Sequence, residues 1–174
     1  MTVESVRAFL ERHAPDLAII DQEASTATVA KAAATLGVEA GRIAKTLSLR
    51  AGDRVMLVVT RGDSRLDNRK AKQAFGARPR MLGVEEVVAL TGHPVGGVCP
   101  FGLATDLPVF CDLSLRSFET VFPAAGSTTS SVELPPDRIA ALTGASWGAV
   151  CVLPDQAVGT VAATPPADAG SPRE

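Results

Sequence analysis

Ile43-Ala44-Lys45-Thr46-Leu47-Ser48-Leu49-Arg50-Ala51-Gly52-Asp53-Arg54-Val55-Met56-Leu57-Val58-Val59-Thr60 is the stretch whose reading decides the fold. Ile43 to Leu49 and Val55 to Thr60 are two β-rich runs, and Ala51-Gly52-Asp53 between them is a tight turn, so the segment predicts a β-hairpin. Alternation along the first run puts Lys45 on one face with Ile43, Leu47 and Leu49, and Ala44, Thr46, Ser48 and Arg50 on the other. An ammonium pointing the same way as three aliphatic side chains is costly to bury unless an anion meets it, which is how a functional lysine looks. The competing reading is that Lys45 lies near the strand end and snorkels to water.

Working outward, helical and strand-like segments alternate without an internal repeat. Ser5 is positioned to cap a helix carrying Val6, Phe9 and Leu10 that stops before Pro15. Thr26 or Thr28 opens an alanine-rich helix that ends at Gly37, and Asp67 caps another that runs to Gly76. A further helix spans Val84 to Leu90, with Glu85 and Glu86 in its first turn and Gly92 beyond its last. Short β segments follow at Val109 to Asp112, Thr120 to Pro123 and Ser130 to Leu134. Pro135-Pro136 open a helix closed by Gly144, and Trp147 to Leu153 reads as a last strand. Tight turns between strands that outnumber the helices predict an α+β fold with a mixed, largely antiparallel and partly barrel-like sheet flanked by helices. Residues 1–153 form the expected domain. From Pro154 the composition turns to Ala, Pro, Gly, Thr and Asp without periodicity, so 154–174 is expected to be a disordered tail.

The chain has 174 residues, a formal charge of -2, 46% hydrophobic and 21% charged residues. That describes an ordinary globular domain and argues against a strongly basic duplex-DNA-binding module. No apolar run approaches bilayer-spanning length and the start lacks a signal-peptide pattern, so no membrane partner and a cytoplasmic location are expected. Cys99, Cys111 and Cys151 are widely spaced and odd in number, which argues for reduced thiols rather than disulfides or a structural metal. No P-loop, dinucleotide fingerprint or HExxH motif is present, and no cofactor or metal is expected.

Two further features invite chemistry. Gly96-Gly97-Val98-Cys99-Pro100-Phe101-Gly102 packs three glycines into seven residues, with little that a core would require. Such a loop reads as preorganised backbone N–H groups for an anion or an oxyanion. Within it Cys99 is either a thiolate nucleophile with His93 as base or a small apolar filler, and the second is preferred. Between Arg61 and Arg80 seven basic residues stand against two aspartates, leaving a local +5 on an otherwise acidic chain. This suits a phosphate-bearing partner of limited footprint, or is only a solvated helix face. Asp112 either contacts substrate or caps the turn before Ser114, the cap being preferred. Ser127 to Ser131 reads as a polar turn entering a strand, with one hydroxyl facing a pocket as the lesser alternative.

Arg42-Ile43-Ala44-Lys45-Thr46-Leu47, Leu66-Asp67-Asn68-Arg69-Lys70-Ala71, Thr91 to Gly102, Asp112 and Ala125-Gly126 occur in an order that resembles the freestanding aminoacyl-tRNA deacylases of the YbaK type. These are related to the editing domain inserted in bacterial prolyl-tRNA synthetases. The resemblance spans roughly Ala30 to Val152. It implies hydrolysis of the ester on a mischarged tRNA, with alanine or cysteine on tRNA(Pro) the expected substrates. It implies Lys45 as the residue most closely tied to activity and Gly96 to Pro100 as the family's GxxxP loop. With them Gly96, Gly97, Val98, Cys99, Pro100, Phe101, Gly102, Asp112 and Gly126 become expected substrate contacts. Arg61, Arg65, Arg69, Lys70 and Lys72 become expected contacts to the acceptor end, and prolyl-tRNA synthetase a candidate partner. The alternative is a binding module of the same fold without turnover.

Overall fold

The computed structural model describes residues 2–153, and the expected tail at 154–174 lies outside the described residues. The hairpin is present and longer than expected: β2 (Ile43–Ala51) and β3 (Arg54–Arg61) pair antiparallel from Ala44 opposite Arg61 to Ala51 opposite Arg54. Gly52 takes φ 65° at the turn, a conformation glycine adopts without a Cβ penalty. Around the hairpin a six-stranded mixed sheet forms in the order β5 (Pro79–Met81), β2, β3, β6 (Val109–Asp112), β9 (Ser146–Gly148), and β7 (Phe122–Pro123) also pairs with β2. The β2/β5 pair is antiparallel, and β2/β7, β3/β6 and β6/β9 are parallel. Two small antiparallel sheets, β1 (Ile19–Asp21) with β8 (Ser130–Val132) and β4 (Arg65–Leu66) with β10 (Cys151–Val152), complete the architecture. Among the described residues nothing pairs β5 with β9, so the sheet stays open.

Among the described residues five α-helices flank it: α1 (Thr2–His13), α2 (Val29–Leu36), α3 (Asn68–Phe75), α4 (Val84–Thr91) and α5 (Pro136–Thr143). Helix α1 starts at Thr2, three residues before the expected cap Ser5. Thr28 caps α2 by accepting from the Lys31 N–H at 3.1 Å, and Asp67 caps α3 from the Lys70 N–H at 2.9 Å. The expected strand from Trp147 to Leu153 is broken into β9 and β10, which join different sheets.

The period-2 pattern of the hairpin feeds two cores. On one face Ala44, Leu57 and Val59 pack with Val6 and Leu10 of α1, Phe101, Leu115, Val121 and Ile139 of α5. On the other, Leu49, Met56 and Val58 pack with Ala71 and Phe75 of α3, Val150 and Cys151. Leu57 and Val58, adjacent in sequence, are both 0% exposed because the sheet is covered on both sides. Each such side chain contributes roughly 1.5–3 kcal/mol by its burial.

Candidate functional site

Strand β2 is accompanied by β3 throughout on one edge, whereas its other edge is covered only at the ends. There β7 pairs with Ile43 and Ala44, and β5 with Leu49 to Ala51. A cavity of about 290 Å3 opens over the gap between them. Its floor comes from β2, including Lys45, Thr46 and Ser48. Met81, Leu82, Val84 and Val87 close one side, and Phe122, Ala124 and Ser131 the other. The segment entering α2, Thr26 to Val29, and the glycine-rich loop through Val95, Gly96 and Val98 form the roof. The walls are mostly aliphatic, with polar groups confined to a few positions, as in small-molecule sites generally. Ser131, from the polar run Ser127 to Ser131, is the hydroxyl residue of that run that reaches the cavity lining.

The loop divides its labour. Gly96 and Val98 line the cavity, whereas Cys99 and Phe101 are 0% exposed and belong to the α1-side core. A Cβ on Gly97 would lie 2.7 Å from the Ser127 backbone, and one on Gly102 2.5 Å from the Ser5 carbonyl oxygen. Both positions therefore admit glycine because backbone meets backbone there. Gly97 N–H donates to the Pro94 carbonyl at 2.9 Å and its carbonyl accepts from Gly126 N–H at 3.1 Å. The expectation that little of this loop serves packing is overturned: only its first half faces the cavity. Pro100 and Gly102 instead line a separate surface hollow against α1, and neither Asp112 nor Gly126 is in the cavity wall.

Lys45 follows its strand parity, on the face of Leu47 and Leu49. Its ammonium donates to the Ser64 carbonyl at 2.5 Å. The Ser64 hydroxyl donates to the Arg61 carbonyl at 2.8 Å and is 2.7 Å from the Thr60 hydroxyl, so the turn holding that acceptor is itself pinned. No carboxylate among the described residues comes within ion-pairing distance of Lys45. Burial pushes its pKa below the ordinary 10.5, against smaller upward pulls from Cys151 and Asp63.

The basic segment is not uniform. Arg61 is gripped by both oxygens of Asp63, at 2.6 and 2.8 Å, and lies over the Phe118 ring. That fork-to-fork pair holds Asp63 below the usual carboxylate range. Arg65 on β4 and Arg69 and Lys72 on α3 are exposed. Lys70 is half-buried, with its ammonium 3.4 Å from the Cys151 carbonyl.

A model of the aminoacyl-tRNA editing domain matches residues 23–142, which takes in the hairpin, the cavity and the glycine-rich loop. The chain belongs to that family. Among curated proteins this editing domain is 46% identical to "Uncharacterized protein YwhH" of Bacillus subtilis (strain 168), over 87% of this chain and 98% of that one. It is 30% identical to "Putative Cys-tRNA(Pro)/Cys-tRNA(Cys) deacylase EbsC" of Enterococcus faecalis (strain ATCC 700802 / V583), over 68% and 73%. A solved structure described as "a putative trans-editing enzyme for prolyl tRNA synthetase" superposes with a TM-score of 0.80 at 34% identity, over 85% of this chain and 95% of that one. No helix among the described residues is long and apolar enough to cross a membrane.

Inside the editing domain Cys99 and His93 are neighbours, with Sγ 3.7 Å from Nε2. Nε2 is also 2.8 Å from the Phe101 carbonyl, an acceptor that fixes the ring proton on that nitrogen. The ring nitrogen facing the thiol therefore has no lone pair to take its proton. Burial pushes the Cys99 thiol up to about 12 and lowers His93. At pH 8 alkylation of Cys99 in the folded protein is expected to be at least about 100-fold slower than in the unfolded chain, because the raised pKa leaves far less thiolate. Mass-spectrometric rates within tenfold of each other would restore a reactive thiol. Asp112, 2% exposed, is also spent internally: it accepts from Ser114, Val150 and Cys151 N–H groups at 3.0, 2.8 and 3.1 Å.

Proposed function

We propose that the cavity receives the aminoacylated 3′ end of a mischarged tRNA and that water hydrolyses the ester there, releasing the amino acid and free tRNA. The observation that carries this reading is Lys45, a residue of the cavity lining whose half-buried ammonium has no ion-pair partner among the described residues, in an editing-domain chain. An unpaired cation held out of bulk water favours an anion, and the phosphate next to the terminal ribose supplies one. The Ser64 carbonyl occupies one of its three N–H donors and leaves two for that phosphate.

Water adds to the acyl carbon, the bond from that carbon to the ribose oxygen breaks, and the proton lost by water ends on the ribose oxygen. An ester needs little acid or base strength, so positioning and an oxyanion-binding N–H supply most of the effect. With Gly97 N–H committed to Pro94, Gly96 and Val98 are the loop residues that present backbone to the acyl group. Val29, Ala32, Ile43 and Phe122 give the acyl side chain an apolar wall, which suits alanine or cysteine and disfavours charged groups. Arg65, Arg69 and Lys72 would steer the acceptor stem, with Lys70 adding charge and Arg61 contributing mainly through its field. Prolyl-tRNA synthetase makes the mischarged tRNA(Pro) that this reading takes as substrate, so that synthetase in the cytoplasm is the partner it favours.

A panel of tRNA(Pro) charged with alanine, cysteine, serine or proline tests it. Release of alanine or cysteine at least about tenfold faster than proline is expected. Equal rates for all four would contradict the selectivity assigned to the cavity.

A further inference from the structure

We propose that the aminoacyl group is held as a one-residue extension of the sheet, paired with the backbone of Thr46. The inference rests on the deacylase reading above and assigns the contact that reads the substrate as an α-amino acid. On the uncovered edge of β2 the β7 register ends at Ala44, opposite Pro123, and the β5 register begins at Leu49, opposite Met81. The Ser48 carbonyl accepts from Leu82 N–H at 3.0 Å, so Ser48 turns its backbone towards this edge. Thr46, two residues earlier, does the same by strand parity, while Lys45 and Leu47 face β3. Thr46 therefore presents a backbone N–H and C=O to the gap, where no described residue pairs with them. Its hydroxyl oxygen is buried without a partner.

Backbone groups within a strand are nearly always satisfied, so an open pair on a half-buried residue at a cavity floor suits a ligand with a matching donor and acceptor. An α-aminoacyl ester has both, in the arrangement of one strand residue. The Thr46 C=O accepts from the α-ammonium, and the Thr46 N–H donates to the ester carbonyl oxygen. That second bond strengthens as the carbonyl becomes an oxyanion, and the donor is already aimed because the strand fixes it.

Amide hydrogen exchange of the full chain, read by NMR, tests this with 3′-(L-alanylamino)-3′-deoxyadenosine, whose amide link resists hydrolysis. In the free protein Thr46 N–H is expected to exchange at least about tenfold faster than Lys45 and Leu47, and to slow at least tenfold when the probe saturates. The propionylamino analogue, lacking the ammonium, should bind at least about tenfold more weakly. A Thr46 amide already as protected as its neighbours, or a probe that shifts Gly96 and Val98 resonances and leaves Thr46 exchange unchanged, would overturn the pairing. Deacylation measured on the same protein separates the two levels. Turnover with an unresponsive Thr46 removes the pairing alone, whereas absence of turnover on every ester removes the reading beneath it.

Discussion

Replacing Lys45 with Met is expected to lower kcat/KM for deacylation by about 100-fold or more, because it deletes the cation while keeping an unbranched apolar stem of similar length. The loss belongs mainly to phosphate and ester positioning, and a few kcal/mol is the usual scale for one well-placed electrostatic contact. The same substitution frees the Ser64 carbonyl, so part of any effect could come from the turn it anchors. The pH profile separates the two. Burial lowers the lysine pKa below 10.5, so the ammonium and its contribution to rate are present below that lowered value and are lost as pH rises through it. Lys45→Arg keeps its charge through this range and should lack the alkaline fall. A Lys45→Met protein with undiminished kcat/KM would remove the lysine from the account, and an alkaline fall of equal size in Lys45→Arg would assign the titration elsewhere.

Asp112→Ala is expected to be the most damaging change to stability, by about 4 kcal/mol, since it strands three backbone N–H groups in a site 2% exposed. The carboxylate ties the end of β6 and the turn Leu113–Ser117 to the start of β10. Strand β10 pairs with β4, directly after Ser64, so the damage reaches the turn that orients Lys45. Asp112→Asn keeps an acceptor oxygen and should recover at least half of the loss. Urea unfolding midpoints check both. A cost below about 1 kcal/mol for Asp112→Ala would show that water replaces the carboxylate freely.

Much of this was legible in the chain because it is written in local rules. The hairpin follows from period-2 hydrophobicity and a Gly-Asp turn, and α2 and α3 from Thr28 and Asp67 with a glycine at each far end. What escaped was written in partners. β1, β4 and β5 are two or three residues long, too short to show a period, and exist only because β8, β10 and β2 pair with them. Trp147 to Leu153 reads as one strand, yet Asp112 takes the Val150 and Cys151 N–H groups and breaks it. Lys45 was placed on its correct face by parity, but a backbone carbonyl rather than an anion meets it within the chain. Gly97 and Gly102 look like ligand glycines in sequence and are glycines of close packing, against Ser127 and Ser5, which lie 30 and 97 residues away in the chain. The open edge at Thr46 depends on where two other strands stop, which no local pattern encodes.

The most direct measurement is release of labelled alanine and cysteine from mischarged tRNA(Pro) with protein far below substrate. The account predicts many turnovers per protein molecule on one or both, with prolyl-tRNA(Pro) left intact. Tight binding of the mischarged tRNAs without release would contradict it and leave a binding module in its place.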